Sequence, residues 1–525
     1  MSDGTLMGED RLAKSHRGTT VENTAVLLAA FIAVVALKWP MLDQPPAWDE
    51  AFSVHPAAIA LAHNGFDLWA LLHEPSYFKG GPNVHAGSLV TLLTAAGYRW
   101  LGGSSWLNPL IHVCHFAAAA FCLMAAYRFS RANFDRPLAA LFTAAVFCHP
   151  LFHAQAGMMY LEIPLLACTL SSLTAWSSER RIAAFAWAVL AVLVKETGIL
   201  VAGTLCIASL LAARPWFERI RWALAAALVP GAVVAASVLV VRSSGGVDYH
   251  PPPYWIYLRY YAADRLLQVP DLCFFFVLSL VVGGLRWRTV RRGLTDARAT
   301  STASGMAPRQ VRRLAISHLM LLVFLAFHLA APFVFENYLL PRYLVQILPL
   351  MFVALLDALR QATSKRTACV VTIACCGLFL ANRWGLFYPR GANNDFSVAE
   401  RSEAYRDLLA VQRAGVRALA ATSPEVPVFY GLPEHYYTHY PELGYVSAVP
   451  PNGHCVEFEA PYHRGRLEDF PEHFFMLYDY AFLGGRQIQA IVQQAANDPR
   501  REVRVAEEFV QGDYQVVLFE VRPRR

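Results

Sequence analysis

Apolar residues run through this chain in stretches of roughly 15 to 22 between short polar connections, long enough for helices that cross a hydrocarbon core about 30 Å thick. The pattern predicts a polytopic α-helical membrane protein of about 11 spans, at 24–42, 107–127, 138–154, 160–176, 182–194, 198–213, 222–241, 271–285, 314–335, 340–358 and 367–382. Two of these readings follow from parity. Residues 86–101 are apolar enough to cross, but counting them would invert every later loop, so they are placed along the membrane surface as a juxtamembrane helix. Residues 182–213 have basic flanks on both sides and are read as a there-and-back pair turning at Lys195-Glu196-Thr197-Gly198.

Charge then orients the spans. Eight arginines and one acid, Asp296, lie between Arg286 and Arg313. With the basic N-terminal segment (Arg11, Lys14, Arg17) inside, the clusters Arg128, Arg131, Arg136; Arg180, Arg181; Arg214, Arg219, Arg221; and Arg360, Lys365, Arg366 all fall on the same cytoplasmic side as that loop. The net charge of +6 needs no nucleic-acid partner, because basic cytoplasmic loops are what insertion requires. The first run is too long for a signal-peptide core and lacks a small-residue cleavage site, so it is read as an uncleaved anchor. Hydrophobic residues are 56% of the chain and charged ones 16%, which fixes the membrane class before any motif does. Of the ten cysteines, Cys114, Cys122, Cys148, Cys168, Cys375 and Cys376 sit in apolar runs and Cys455 in the tail, a pattern that argues against a disulfide framework.

The expected organisation is a cytoplasmic segment 1–23, a transmembrane domain 24–382 with a first exterior loop 43–106 and a middle exterior loop 242–270, and a soluble exterior domain 383–525. The tail carries 15 basic and 19 acidic residues and loses the apolar runs. Its pattern gives a helix near 398–420, a strand near 427–431, a helix near 485–497 and a hairpin near 502–509 and 514–521 around Gly512-Asp513, a small α/β module.

The costly polar residues gather at the exterior edge rather than at span centres, where a midplane transporter would place them. Asp49 and Glu50 open the first loop, Lys79 follows, Glu162 begins the fourth span, Lys195 and Glu196 form a turn and Arg342 lies in another. Trp48-Asp49-Glu50 is the sharpest element: one carboxylate of an adjacent pair can face a substrate while the other orients it, although Asp49 also suits the cap of a short helix starting at Glu50.

The segment Asp49-Glu50 just after the first span, Tyr77-Phe78-Lys79-Gly80-Gly81-Pro82 before an apolar stretch ending Leu101-Gly102, Leu161-Glu162-Ile163-Pro164, Leu193-Val194-Lys195-Glu196-Thr197-Gly198, and Leu340-Pro341-Arg342-Tyr343-Leu344 running into Leu348-Pro349 resemble, in order and spacing, the polyprenyl-phosphate-sugar glycosyltransferases of the GT-C fold. That family includes the protein O-mannosyltransferases and the aminoarabinose transferases that modify lipid A. The resemblance covers roughly residues 24–350. It departs at Glu162, where the family usually has Asp, and at Lys79-Gly80-Gly81-Pro82, where Lys-Pro-Pro is usual. It implies an inverting transferase at the exterior face of a prokaryotic inner membrane, moving a sugar from a polyprenyl-phosphate donor to a hydroxyl of a lipid, glycan or protein.

The chemistry agrees with that implication. A phosphate leaving group is already a stable anion and needs charge neutralisation more than a proton, which Lys or Arg supplies. The acceptor hydroxyl must lose its proton as it attacks, which a carboxylate accepts. Asp49 is the candidate base, with Glu50 and Glu162 as further catalytic carboxylates, and Lys79, Lys195, Arg342, Arg259 and Arg265 as candidate phosphate-binding cations. Each cation also has a plainer reading. Lys79 suits an interfacial lysine, Lys195 a structural partner of Glu162 or Glu196, Arg342 a donor to nearby carbonyls, and Arg259 and Arg265 anchors for the aromatic loop after His250-Pro251-Pro252-Pro253-Tyr254-Trp255. His55, His63, His73 and His85 lack the spacing of a tight metal site. Mg²⁺ or Mn²⁺ on Asp49, Glu50 and Glu162 suits hard carboxylate ligands, and the sequence leaves it open. A transporter or flippase of polyprenyl-linked substrates, and a noncatalytic membrane scaffold, remain the alternatives.

Overall fold

The computed structural model describes residues 3–46, 50–68, 70, 88–102, 106–212, 214–243, 269–286, 288, 291, 308–330, 341–388, 401–457, 459, 461–480 and 485–524. Four helices among them are long and apolar enough to cross a membrane, Thr20–Met41, Leu107–Ser130, Trp216–Ala236 and Gln310–Ala330. Shorter apolar helices, including Arg136–Cys148, Arg181–Val194 and Pro270–Leu285, pack among them. The expected continuous span 138–154 is instead broken at His149, whose backbone turns extended between the helices Arg136–Cys148 and Pro150–Gln155. Proline at the start of the second helix explains the break, since the residue before Pro is pushed out of the helical region.

The stretch 182–213 divides into Arg181–Val194 and Ile199–Leu211 around a 3-10 turn, Glu196–Gly198. Gly198 permits the reversal: a Cβ there would lie 2.3 Å from the carbonyl carbon of Ala191, so only a residue without one can pack this tightly. Residues 89–101 form a 13-residue helix capped by Ser88, whose Oγ accepts from the Thr91 N–H.

The basic connections converge on one end of the bundle. Arg313, 2% exposed, donates to the carbonyls of Arg128, at 3.0 Å, and Phe129, and so caps the C-terminus of the helix Leu107–Ser130. Arg286 pairs with Asp357 at 2.9 Å, Arg312 with Glu179 at 2.5 Å, and Arg131 and Arg136 with Glu22 at 3.2 and 2.9 Å.

Beyond residue 400 the chain forms a five-stranded sheet in the order β2-β1-β3-β5-β4, with β1 Val428–Tyr430, β2 Gly453–Cys455, β3 Phe474–Asp479, β4 Arg501–Gln511 and β5 Tyr514–Pro523. β1 is parallel to β2 and β3, while β3–β5 and β5–β4 are antiparallel. Alternation along β3 sorts its side chains: Phe474, Met476 and Tyr478 join the core under the helix Gly485–Asn497, and Leu477 joins the larger core shared with the helix Tyr405–Ala420 and the membrane helices. Gly415 lets that second helix approach closely, since a Cβ would stand 2.6 Å from Val516 Cγ1. β2, β3 and the short helix Glu434–His439 are elements that the sequence pattern does not announce.

Candidate functional site

Glu162 is the first residue of the helix Glu162–Ser177, Lys195 sits in extended backbone at the turn fixed by Gly198, and Arg342 lies in the 3-10 segment Pro341–Gln346. The three meet. Lys195 Nζ donates to Glu162 Oε1 at 2.6 Å and Arg342 Nε lies 3.4 Å from the same oxygen. None of the three is more than 4% exposed. Gln346 Nε2 donates to Thr197 Oγ1 at 3.2 Å and ties the two turns together. Aromatic faces complete the setting: the Lys195 ammonium stands 4.5 Å from the Tyr343 ring, and the Arg342 guanidinium 5.0 Å from Tyr160. Charges this deeply buried are tolerated only when paired and hydrogen-bonded, so the carboxylate fixes where both cations stand.

Glu50 begins a helical segment that continues to His63 and is 2% exposed. Asp49, Lys79, Arg259 and Arg265 lie outside the described residues, as do His73 and His85. His55 is buried and its Nδ1 is 2.7 Å from the Tyr98 hydroxyl. Among the described residues no group of three or more His, Cys, Asp or Glu has the arrangement to hold a metal ion.

Sequence reasoning missed two contributions from beyond residue 400. The Tyr445 hydroxyl donates to the Pro46 carbonyl at 3.0 Å, and its ring stacks on Tyr437 at 4.0 Å, so this region braces the segment that leads into Asp49. Nothing local signals a contact across 399 positions. Glu403 pairs with Lys38 in the last turn of the first helix, with His153 Nε2 at 3.7 Å and with Arg406 at 3.4 Å. Burial raises the Glu403 pKa, but Lys38 and His153 outweigh it and hold the carboxyl below its usual value. Lys38 did carry a signal: it is a charge inside an apolar run, which is expensive unless partnered.

Neither a protein-family model nor a curated protein sequence matches the chain. Among solved structures, ArnT from Cupriavidus metallidurans in the apo state aligns over 96% of this chain and 98% of its own, with a TM-score of 0.50 at 16% identity. This chain shares the ArnT fold. The same ArnT bound to undecaprenyl phosphate gives a TM-score of 0.49 at 14% identity over 96% of this chain and 98% of that one. The oligosaccharyltransferase of Archaeoglobus fulgidus in the apo form gives 0.44 at 10% identity, over 84% of this chain and 65% of its own. The fold expected from the resemblance agrees with this likeness to ArnT.

Proposed function

We propose that this chain is an integral membrane glycosyltransferase that moves a sugar from a polyprenyl-phosphate donor to a hydroxyl of a lipid, glycan or protein at the exterior face of an inner membrane, with inversion. The observation that carries this reading is the Glu162–Lys195–Arg342 cluster, two buried cations fixed by one carboxylate, within an ArnT-like fold. In this reading the N-terminus is cytoplasmic, 24–382 is the catalytic transmembrane domain, and 383–525 is an exterior domain.

Lys195 and Arg342 neutralise the phosphate as the glycosidic oxygen departs, with Lys79, Arg259 and Arg265 as further phosphate contacts. Glu162 holds the two cations in place; a carboxylate engaged by both is a poor proton acceptor. The base is Asp49, which takes the acceptor proton as the hydroxyl attacks the anomeric carbon from the face opposite the phosphate, and Glu50 orients it. One carbon–oxygen bond forms as the other breaks, hence the inversion.

The test is transfer from a purified polyprenyl-phosphate sugar, run beside a thermal melt. Asp49→Asn keeps size and capping ability, so turnover should fall by about 10² to 10⁴ with stability nearly unchanged. Retained activity would make Asp49 a cap, and loss through unfolding would move the assignment to structure. Lys79→Ala should lower turnover by about one to two decades, the worth of one charge-assisted contact.

A further inference from the structure

The helix Glu162–Ser177 has a second polar environment toward its far end, about 14 to 24 Å from Glu162 at 1.5 Å rise per residue. There a cavity of about 720 Å³ opens between the first helix and the helix Arg181–Val194, floored by Leu107–Ser130 and Glu162–Ser177. Its lining holds four arginines, Arg128, Arg131, Arg180 and Arg313, against one carboxylate, Glu22, an excess of three positive charges. Glu22 is already shared: Tyr127 donates to it, and Arg131 and Arg136 lie 3.2 and 2.9 Å away.

The rest of the lining is hydroxylic on one side and apolar on the other. Ser171, Thr174 and Ser178 recur at three and four residues, one face of a helix, and all line the cavity. Thr174 Oγ1 is buried there without a hydrogen-bond partner among the described residues. Trp187 forms the opposite wall, its ring 5.9 Å from Phe121. Along the first helix, Val21, Leu28 and Ile32 are 68%, 58% and 58% exposed, an open apolar strip that starts beside the cavity.

Clustered guanidinium and hydroxyl donors suit a phosphate, and an apolar strip alongside suits acyl chains. We propose that this cavity binds the phosphate headgroup of an anionic phospholipid from the leaflet opposite the Glu162 cluster, with its chains lying along the first helix. Basic pockets between membrane helices are where such headgroups lodge. The proposal requires that the chain spans a bilayer and is independent of the transfer reaction.

A free phosphate shares the headgroup chemistry, so the test separates the two sources. The purified full chain in an uncharged detergent is titrated with phosphatidylglycerol, phosphatidylcholine or inorganic phosphate, and followed by native mass spectrometry and thermal melting. Phosphatidylglycerol should remain bound and raise the melting temperature, and the other two should do neither. Arg128→Gln with Arg180→Gln should weaken phosphatidylglycerol binding by about tenfold or more while leaving the lipid-free melt and the transfer rate unchanged. Arg128→Lys with Arg180→Lys, which keeps both charges, should retain most of the binding. Equal stabilisation by phosphatidylcholine, equal stabilisation by inorganic phosphate alone, or full phosphatidylglycerol binding by the glutamine variant would each overturn the proposal.

Discussion

Glu162 and Glu403 are carboxylates exposed by 2% and 4%, and each gathers more than one basic group. Their partners come from different places. Lys195 reaches Glu162 from the chain reversal at Gly198, and Arg342 reaches it from the 3-10 segment Pro341–Gln346. Lys38 and His153 reach Glu403 from the first helix and the helix Pro150–Gln155, so this cluster joins the sheet-bearing region to the bundle. A buried charge enforces geometry because its misplacement is expensive. At Glu162 the geometry so enforced is that of two cations at a proposed phosphate site; at Glu403 it is the docking of one region on another.

The comparison breaks most sharply on removal of either carboxylate. Glu162→Ala strands two buried cations and should cost about 3 to 5 kcal/mol, with transfer abolished; Glu403→Ala strands Lys38 at a similar cost. Thermal melts together with limited proteolysis at the junction read both, and an unchanged melt for either variant would remove the enforcing role given to it.

Apolar pairs sharpen the contrast, since replacing both partners of a buried ion pair is often neutral for stability. Lys38→Met with Glu403→Met should recover most of the lost stability and keep transfer. Lys195→Met with Glu162→Met should recover only part of the stability, because Arg342 stays buried without that carboxylate, and should still lose transfer by about one to two decades or more. Full activity in the second pair would return Lys195 to the plain structural reading.

A smaller effect comes from Glu434, a carboxylate that pairs with no cation among the described residues. Burial first, and Asp479 second, push the Glu434 carboxyl well above its ordinary value of 4.5. The folded chain therefore holds that proton more tightly than the unfolded chain. Its contribution to stability is complete below pH 4.5 and is lost as pH rises through the folded value. Glu434→Gln should flatten this fall, so its melting advantage over the parent should grow from pH 5 to pH 8, as read by melts across about that range. An equal shift at every pH would rule out the titration of Glu434 as the cause.

The smallest effect is expected at Tyr445→Phe, which deletes the bond to the Pro46 carbonyl and should cost about 1 kcal/mol. If the bond braces the segment leading to Asp49, kcat should fall while the donor KM holds. A melt shift with unchanged kcat would leave it a packing contact.

Several features were legible from local rules. Run length and basic loops announce membrane helices, Lys195 to Gly198 announce a reversal, and Gly512-Asp513 announces the hairpin of β4 and β5. β1 and β2 are three residues each, too short to show alternation. β3 reads FFMLYD, a nearly continuous apolar run because both its faces are covered, and such a run is not separable from a buried helix by period.

What the sequence determined by itself is therefore what depends on neighbours along the chain: the helices, the turn at Gly198 and the charge flanking each span. Tertiary structure alone decided that Glu162 serves both Lys195 and Arg342, that Lys38 meets a carboxylate 365 positions away, and that Tyr445 holds Pro46. The reason is energetic. Periodicity and propensity act within a few residues, whereas the partner of a buried charge is selected by the cost of leaving it unpaired, a cost that exists only once the chain has closed around it.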